Sequence, residues 1–309
     1  MALHPQNKLG ESRVIRGLSL CAGVGGLELG LQIAEPGYRT VCYVERDHHA
    51  ASVLVARMED EVICDAPVWD DVSSFDGRPW RGALDLLTAG YPCQPFSAAG
   101  RKLGEQDPRH LWPHVARIIG ECAPAAVFLE NVAGHVDRGF QQVASELQGL
   151  GYTIEAGLFS AAEVGAPHWR IRLFVLAYAN SIDDGESSRT ESECLGDAVD
   201  PGGRPGRWPS LHSGNGEKLE RDAPTYDGVG LEAGANAGLP LFAPRPGDYQ
   251  TWERVLAGRV DLEPSLHRMD DGLANRMDRS RAVGNGVCSL AAALAWRTLR
   301  DRINRRLRS

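Results

Sequence analysis

Residues Asp85 to Lys102, DLLTAGYPCQPFSAAGRK, decide how the rest of the chain is read. An apolar, strand-like run delivers Cys93 into a Pro-Cys-Gln-Pro turn. Pro92 and Pro95 fix φ on both sides and remove two backbone donors, so the segment neither continues as strand nor opens as helix, and the Cys93 side chain leaves the sheet. Open α/β sheets bind ligands at the carboxyl ends of their strands. A buried, inert thiol is the commonest fate of a free cysteine. The paired prolines, Gln94 and the polar, glycine-containing loop that follows favour a reactive thiol instead.

A strand, a glycine turn and a helix open the chain: Val14 to Leu20 run into CAGVGGLELGL, Cys21 to Leu31, with Leu27, Leu31 and Ala34 on one helical face. Gly23 and Gly25 let backbone approach a ligand, and the helix N-terminus offers N–H groups to a carboxylate or phosphate. The third glycine of the dinucleotide fingerprint is missing, because Glu28 stands in its place. TVCYVERD then ends in Glu45, 22 positions after Gly23, as suits a second strand whose carboxylate grips ribose hydroxyls; an exposed glutamate at a strand end is the plainer alternative. VWDDVSSF ends another strand with Asp70 and Asp71. No G-x-x-x-x-G-K-S/T occurs, which argues against nucleoside triphosphate chemistry.

After Cys93, residues 97–110 read as a mobile lid with Gly100 and Gly104 as hinges. A helix over about 112–120 leads into AAVFLENV, a buried strand that brings Glu130 to the same sheet edge as Cys93. Partial desolvation there raises a carboxyl pKa toward neutrality and suits it to proton donation. APHWRIRLFVLAYA places Arg170 and Arg172 two apart, hence on one side of a strand; two surface arginines are the alternative. From residue 181 to 240 the chain carries 12 acids and 5 basic residues with little periodicity. Order resumes with a helix-like TWERVLAGRV, a Gly284-Asn285-Gly286-Val287 turn and an Ala/Leu-rich final helix.

In GYPCQPFS, Glu130-Asn131-Val132, the Arg170/Arg172 pair and the Gly-Asn-Gly-Val turn, occurring in that order, the chain resembles the DNA cytosine-5 methyltransferases. The resemblance implies an α/β fold, a doubly wound Rossmann-like sheet that binds S-adenosylmethionine, with a small loop-rich target recognition region. It divides the chain into a catalytic, cofactor-binding part (1–179), a recognition region with room for disorder (180–261) and a C-terminal segment returning to the catalytic part (262–309). It makes Cys93 the nucleophile beside Gln94 and sets Glu130 on N3 and the amino group of the cytosine. Arg172 then addresses O2, and Arg170 helps position the nucleophile. It assigns the cofactor to Cys21, Ala22, Gly23, Gly25, Gly26, Glu45, Arg46, Asp71, Val72, Pro92, Asn285 and Val287, with Asp71 on the adenine amino group. Cys21 stands where the family usually has Phe, and His168 where it has Gln. The implied partners are double-stranded DNA and a cognate restriction endonuclease, with the protein a monomer.

The composition sets bounds on these expectations. Net charge is −8, yet Arg245 to Ser309 hold 13 Arg against 8 acids, and a binding face needs local rather than total positive charge. Seven cysteines without a C-x-x-C pair suggest neither a disulfide framework nor a metal site and fit a reducing cytoplasm. No apolar run approaches the ~18 residues of a membrane span. An RNA (tRNA) cytosine-5 methyltransferase, a non-catalytic DNA-binding relative and a nicotinamide oxidoreductase are the competing readings. Cys93 together with Glu130 argues against the second, and the incomplete glycine fingerprint against the third.

Overall fold

The computed structural model describes residues 14–92, 111–180, 240–245, 247–260 and 286–306. Cys93, Gln94, the loop 97–110, most of the acidic segment and Asn285 lie outside the described residues.

Seven strands form one sheet: β1 (Ile15–Leu20), β2 (Tyr38–Val44), β3 (Val68–Trp69), β4 (Leu86–Ala89), β5 (Ala126–Val132), β6 (Tyr152–Phe159) and β7 (Arg172–Ala179). Their order is β3-β2-β1-β4-β5-β7-β6. The first five in that order run parallel, and β7 inserts antiparallel between β5 and β6. The chain thus winds outward from β1 in both directions, and the β1/β4 boundary is the switch point at which such sheets bind ligands. The expected α/β, doubly wound architecture is the observed one.

Continuous apolar runs become central strands because both sheet faces are covered. In β5, every residue from Ala126 to Asn131 is buried. Val127 and Leu129 face one layer, where Val115, Ile118 and Ile119 of α3 (Trp112–Cys122) meet Val143 and Leu147 of α4 (Phe140–Gly149). Phe128 faces the other, against Leu27 and Leu31 of α1 (Gly26–Ala34) and Trp296 and Leu299 of the C-terminal helix (Ser289–Arg306). Each such side chain contributes roughly 1.5–3 kcal/mol when fully buried. Helix α2 (His48–Glu59) covers the β2 side through Leu54, packed on Tyr43 and Ile63. The expected helix near TWERVLAGRV is α5 (Tyr249–Gly258), which leaves the Ser289–Arg306 helix as α6.

Helix α6 returns to α1 along a seam that tolerates no side chain. A Cβ at Gly30 would stand 2.6 Å from the Ser289 carbonyl oxygen and 2.7 Å from the Ala292 Cβ. At the seam's far end Trp296 Nε1 donates to Glu35 Oε1 at 2.7 Å, and Arg300 pairs with the same carboxylate. Gly30→Val is therefore expected to push α6 off α1 and cost about 1–3 kcal/mol, seen as a lowered melting temperature. No helix among the described residues is long and apolar enough to cross a membrane.

One expectation needs correcting. Strand β7 begins only at Arg172, and Arg170 precedes it with φ of 37°, a left-handed conformation. The two arginines do not share a strand face, because the positive φ breaks the two-residue alternation between them.

Candidate active site

A cavity of about 900 Å³ opens along the carboxyl ends of the parallel strands. Its walls follow the sheet order. Asp71 and Val72 come from the loop after β3, and Glu45 and Arg46 from the end of β2. Cys21, Ala22, Gly23 and Gly26 come from the β1–α1 turn, Pro92 from the end of β4, and Glu130 from β5. Arg172 and Val287 complete it. Of the described candidates, Gly25 and Arg170 stand outside this wall. Gly25 caps α1 with φ of 78°, its missing side chain facing Leu54 and Ile63.

The glycine turn is built around Glu45. Its Oε2 accepts from the Gly23 N–H at 2.7 Å and its Oε1 from the Asp47 N–H at 2.8 Å, so one carboxylate joins the ends of β1 and β2. Asp47 in turn caps α2 by accepting from Ala50 N at 3.0 Å. Asp71 accepts from Ser73 N at 2.8 Å, and this backbone donor, with the Ser73 side chain, holds its carboxyl below the usual range. Cys21 occupies a left-handed position, φ 51°. Burial above all, then the carboxylates of Glu45 and Asp71, push its thiol up to about 12, so it stays protonated and is no rival nucleophile.

At the other end Glu130 is 7% exposed. Burial raises its carboxyl to about 7 against the opposing pull of Arg172 and Arg170. Arg172 Nε lies 2.9 Å from Glu130 Oε1. The contact is an ion pair without the alignment of a hydrogen bond, which leaves Oε1 with acceptor capacity. A carboxyl balanced near neutrality, held by an arginine and open to a ligand, can both give and take a proton. Arg170 donates instead to the Gly286 backbone carbonyl, tying the entry of β7 to the segment before α6. His168 is exposed.

Four residues have places here that their sequence did not show. Asn131 Nδ2 donates to the Tyr91 carbonyl at 3.0 Å and so links the end of β5 to the residue before Pro92. Tyr91 is fixed a second time through its hydroxyl, 3.1 Å from Nε2 of buried His135, whose pKa burial lowers to about 4 and which is therefore neutral. Glu28 lies in the cavity wall with its carboxyl buried. Its only signal in the sequence was a charge inside the apolar stripe of α1, at the place of an expected glycine.

The family model for C-5 cytosine-specific DNA methylases matches residues 15–195. The Type II methyltransferase M.NgoMIV of Neisseria gonorrhoeae is 32% identical over 208 residues, covering 63% of this chain and 63% of that protein. M.Eco47II of Escherichia coli is 36% identical over 174 residues, 54% of this chain and 40% of that one. The Dnmt2 methyltransferase structure from S. pombe aligns over 58% of each chain at 23% identity, with a TM-score of 0.46. The chain thus spans less than two thirds of the length of these Type II relatives. With its glycine turn, its Pro-Cys-Gln sequence, its Glu-Asn-Val strand end and the match over residues 15–195, the chain belongs to the C-5 cytosine-specific DNA methylase family.

Proposed function

We propose that this protein transfers a methyl group from S-adenosylmethionine to C5 of cytosine in DNA, through a covalent bond between Cys93 and C6 of a base flipped out of the duplex. The observation that carries the reading is the placement of Glu130, against Arg172, on the strand next to β4, which leads to Pro92. Both open on the cavity that Asp71, Glu45 and Gly23 line.

The residues present fit such a cofactor. Asp71, its carboxyl held below the usual range, can accept from the adenine amino group, Glu45 lies where the ribose hydroxyls would come, and the α1 N-terminus suits a carboxylate. Bound there, S-adenosylmethionine supplies an electrophilic methyl group on a sulfonium. The protein must make C5 of cytosine nucleophilic, which the neutral base is not. A Cys93 thiolate adds at C6 while Glu130 delivers a proton to N3, and the displaced electron pair comes to rest on C5. Arg172 addresses O2 and steadies the Glu130 carboxylate as the proton leaves it. Once C5 carries the methyl group, water takes the C5 proton, the freed electron pair re-forms the C5–C6 double bond and expels the thiolate from C6, and the N3 proton returns to Glu130. Extrusion of the base is required because C6 is inaccessible in stacked duplex.

Residues 180–261 serve in this reading as the target recognition region between two parts of the catalytic domain, and Asn285 as a further cofactor contact. The enzyme works as a cytoplasmic monomer alongside a restriction endonuclease of matching specificity. Expression in a methylation-deficient host, followed by sequencing that reports 5-methylcytosine in DNA and RNA, tests the assignment. Methylcytosine at a defined DNA sequence is expected. Methylation confined to RNA, or none in either, would overturn it.

A further inference from the structure

Glu28 is an acidic residue 1% exposed, placed in the first turn of α1 and forming part of the cavity wall. Ser19 on β1 and Thr88 on β4 are partners in register, and both hydroxyls donate to its Oε1, at 2.7 and 2.9 Å. Its Oε2 is buried and has no hydrogen-bond partner. A buried carboxylate oxygen left in this way is costly, and two neighbouring strands have nonetheless been arranged to hold its twin. Closed off from bulk water, Oε2 can gain a donor from a group delivered into the cavity.

The other acids of the wall already meet backbone donors or a cation. Glu45 has both oxygens on backbone N–H groups, Asp71 holds Ser73, Asp47 caps α2, and Glu130 faces Arg172. Position narrows the donor further. Across the strand order β3-β2-β1, Asp71, Glu45 and the β1–α1 turn follow one another, so adenine at the first and ribose at the second bring the amino-acid end of the cofactor to α1. That end is a zwitterion. The first-turn N–H groups of α1, which no helix can satisfy internally, suit its carboxylate. The matching cation needs an acid in the same turn, and Glu28 is that acid.

We propose that Glu28 Oε2 is the counter-ion for the α-ammonium group of the cofactor's methionine chain, an inference that rests on the cofactor reading above. Unliganded, Glu28 is driven by burial toward its neutral form, and the neighbouring phenols of Tyr38 and Tyr43 are in turn pushed up by its charge. The arriving ammonium restores the charged form.

Calorimetric titration of the full chain with two ligands tests this. S-adenosylhomocysteine carries the ammonium group, whereas 5′-methylthioadenosine keeps the adenosine thioether and lacks the amino-acid chain. Glu28→Gln preserves an oxygen for Ser19 and Thr88 but replaces Oε2 with a donor. It is expected to weaken S-adenosylhomocysteine about 10-fold or more while changing 5′-methylthioadenosine by less than about 2-fold. Equal affinities in variant and wild type, or an equal loss for both ligands, would overturn the inference. Should the variant not fold, wild type decides alone: the deaminated analogue of S-adenosylhomocysteine is expected to bind about 10-fold or more weakly, and undiminished binding refutes the role. Wild type that binds neither nucleoside would sink the cofactor reading itself.

Discussion

Cys93→Ser is expected to abolish the covalent complex that the wild-type chain should form with DNA containing 5-fluorocytosine in the presence of S-adenosylmethionine. Fluorine at C5 cannot leave as a cation, so the elimination that frees the enzyme is blocked and the adduct accumulates as a slower-migrating band. The prediction rests on the chain that leads up to Cys93. Strand β4 ends at Ala89, Tyr91 is held through its carbonyl by Asn131 and through its hydroxyl by His135, and Pro92 stands exposed in the cavity wall. The described chain as far as Pro92 is thus fixed beside β5, the strand that carries Glu130. Serine at position 93 is a far weaker nucleophile, because its hydroxyl has no depressed pKa on which to draw. Turnover is expected to fall by about 10⁴-fold or more, roughly 5.5 kcal/mol of barrier. Retention of the adduct in the variant would move the nucleophile elsewhere.

The strands of this fold were legible because a doubly covered sheet demands continuous apolar runs. AAVFLENV could hardly be anything but a central strand once its polar end was seen to be chemical. The glycine turn was legible for a similar reason, since positive φ at Gly23 and Gly25 is what such a turn requires. Pairings set by tertiary contact were hidden. Nothing local announces that β7 enters between β5 and β6, or that Gly30 is small because Ser289 and Ala292 of α6 lie against it. Arg170 illustrates the limit more sharply. Its spacing from Arg172 reads as a shared strand face, yet a left-handed backbone turns its guanidinium to the Gly286 carbonyl, a contact across 116 positions of sequence. Glu28 was read as the loss of a glycine when it is the gain of a carboxyl. Only the juxtaposition of Ser19 and Thr88 on neighbouring strands shows why a charge can stand there.

The proton chemistry makes the sharpest quantitative demand, and it falls on Glu130. Burial holds its carboxyl at about 7, well above an ordinary glutamate, while the Arg172 guanidinium limits the rise. A proton donor with that pKa is loaded below neutrality and emptied as pH increases through 7. The cysteine runs the opposite way, since the thiolate fraction of a group with pKa near ~8.5 grows with pH. The free-enzyme profile of kcat/KM should therefore be bell-shaped, with its maximum between the two values. Glu130→Gln keeps the size and hydrogen-bonding shape of the side chain but has no proton to give. Turnover is expected to fall about 10²- to 10⁴-fold, the usual span for loss of a positioned acid. Cofactor affinity should remain nearly unchanged, because Asp71, Glu45 and the α1 turn lie beyond β4 in the strand order, toward the opposite end of the cavity from Glu130. The residual activity should also lose the alkaline limb, rising with pH as the thiolate forms and reaching a plateau. A fall in rate with the alkaline limb intact would assign that limb to another group. Loss of S-adenosylmethionine binding in the variant, measured by calorimetry, would place Glu130 in the cofactor site and remove it from the chemistry of the base.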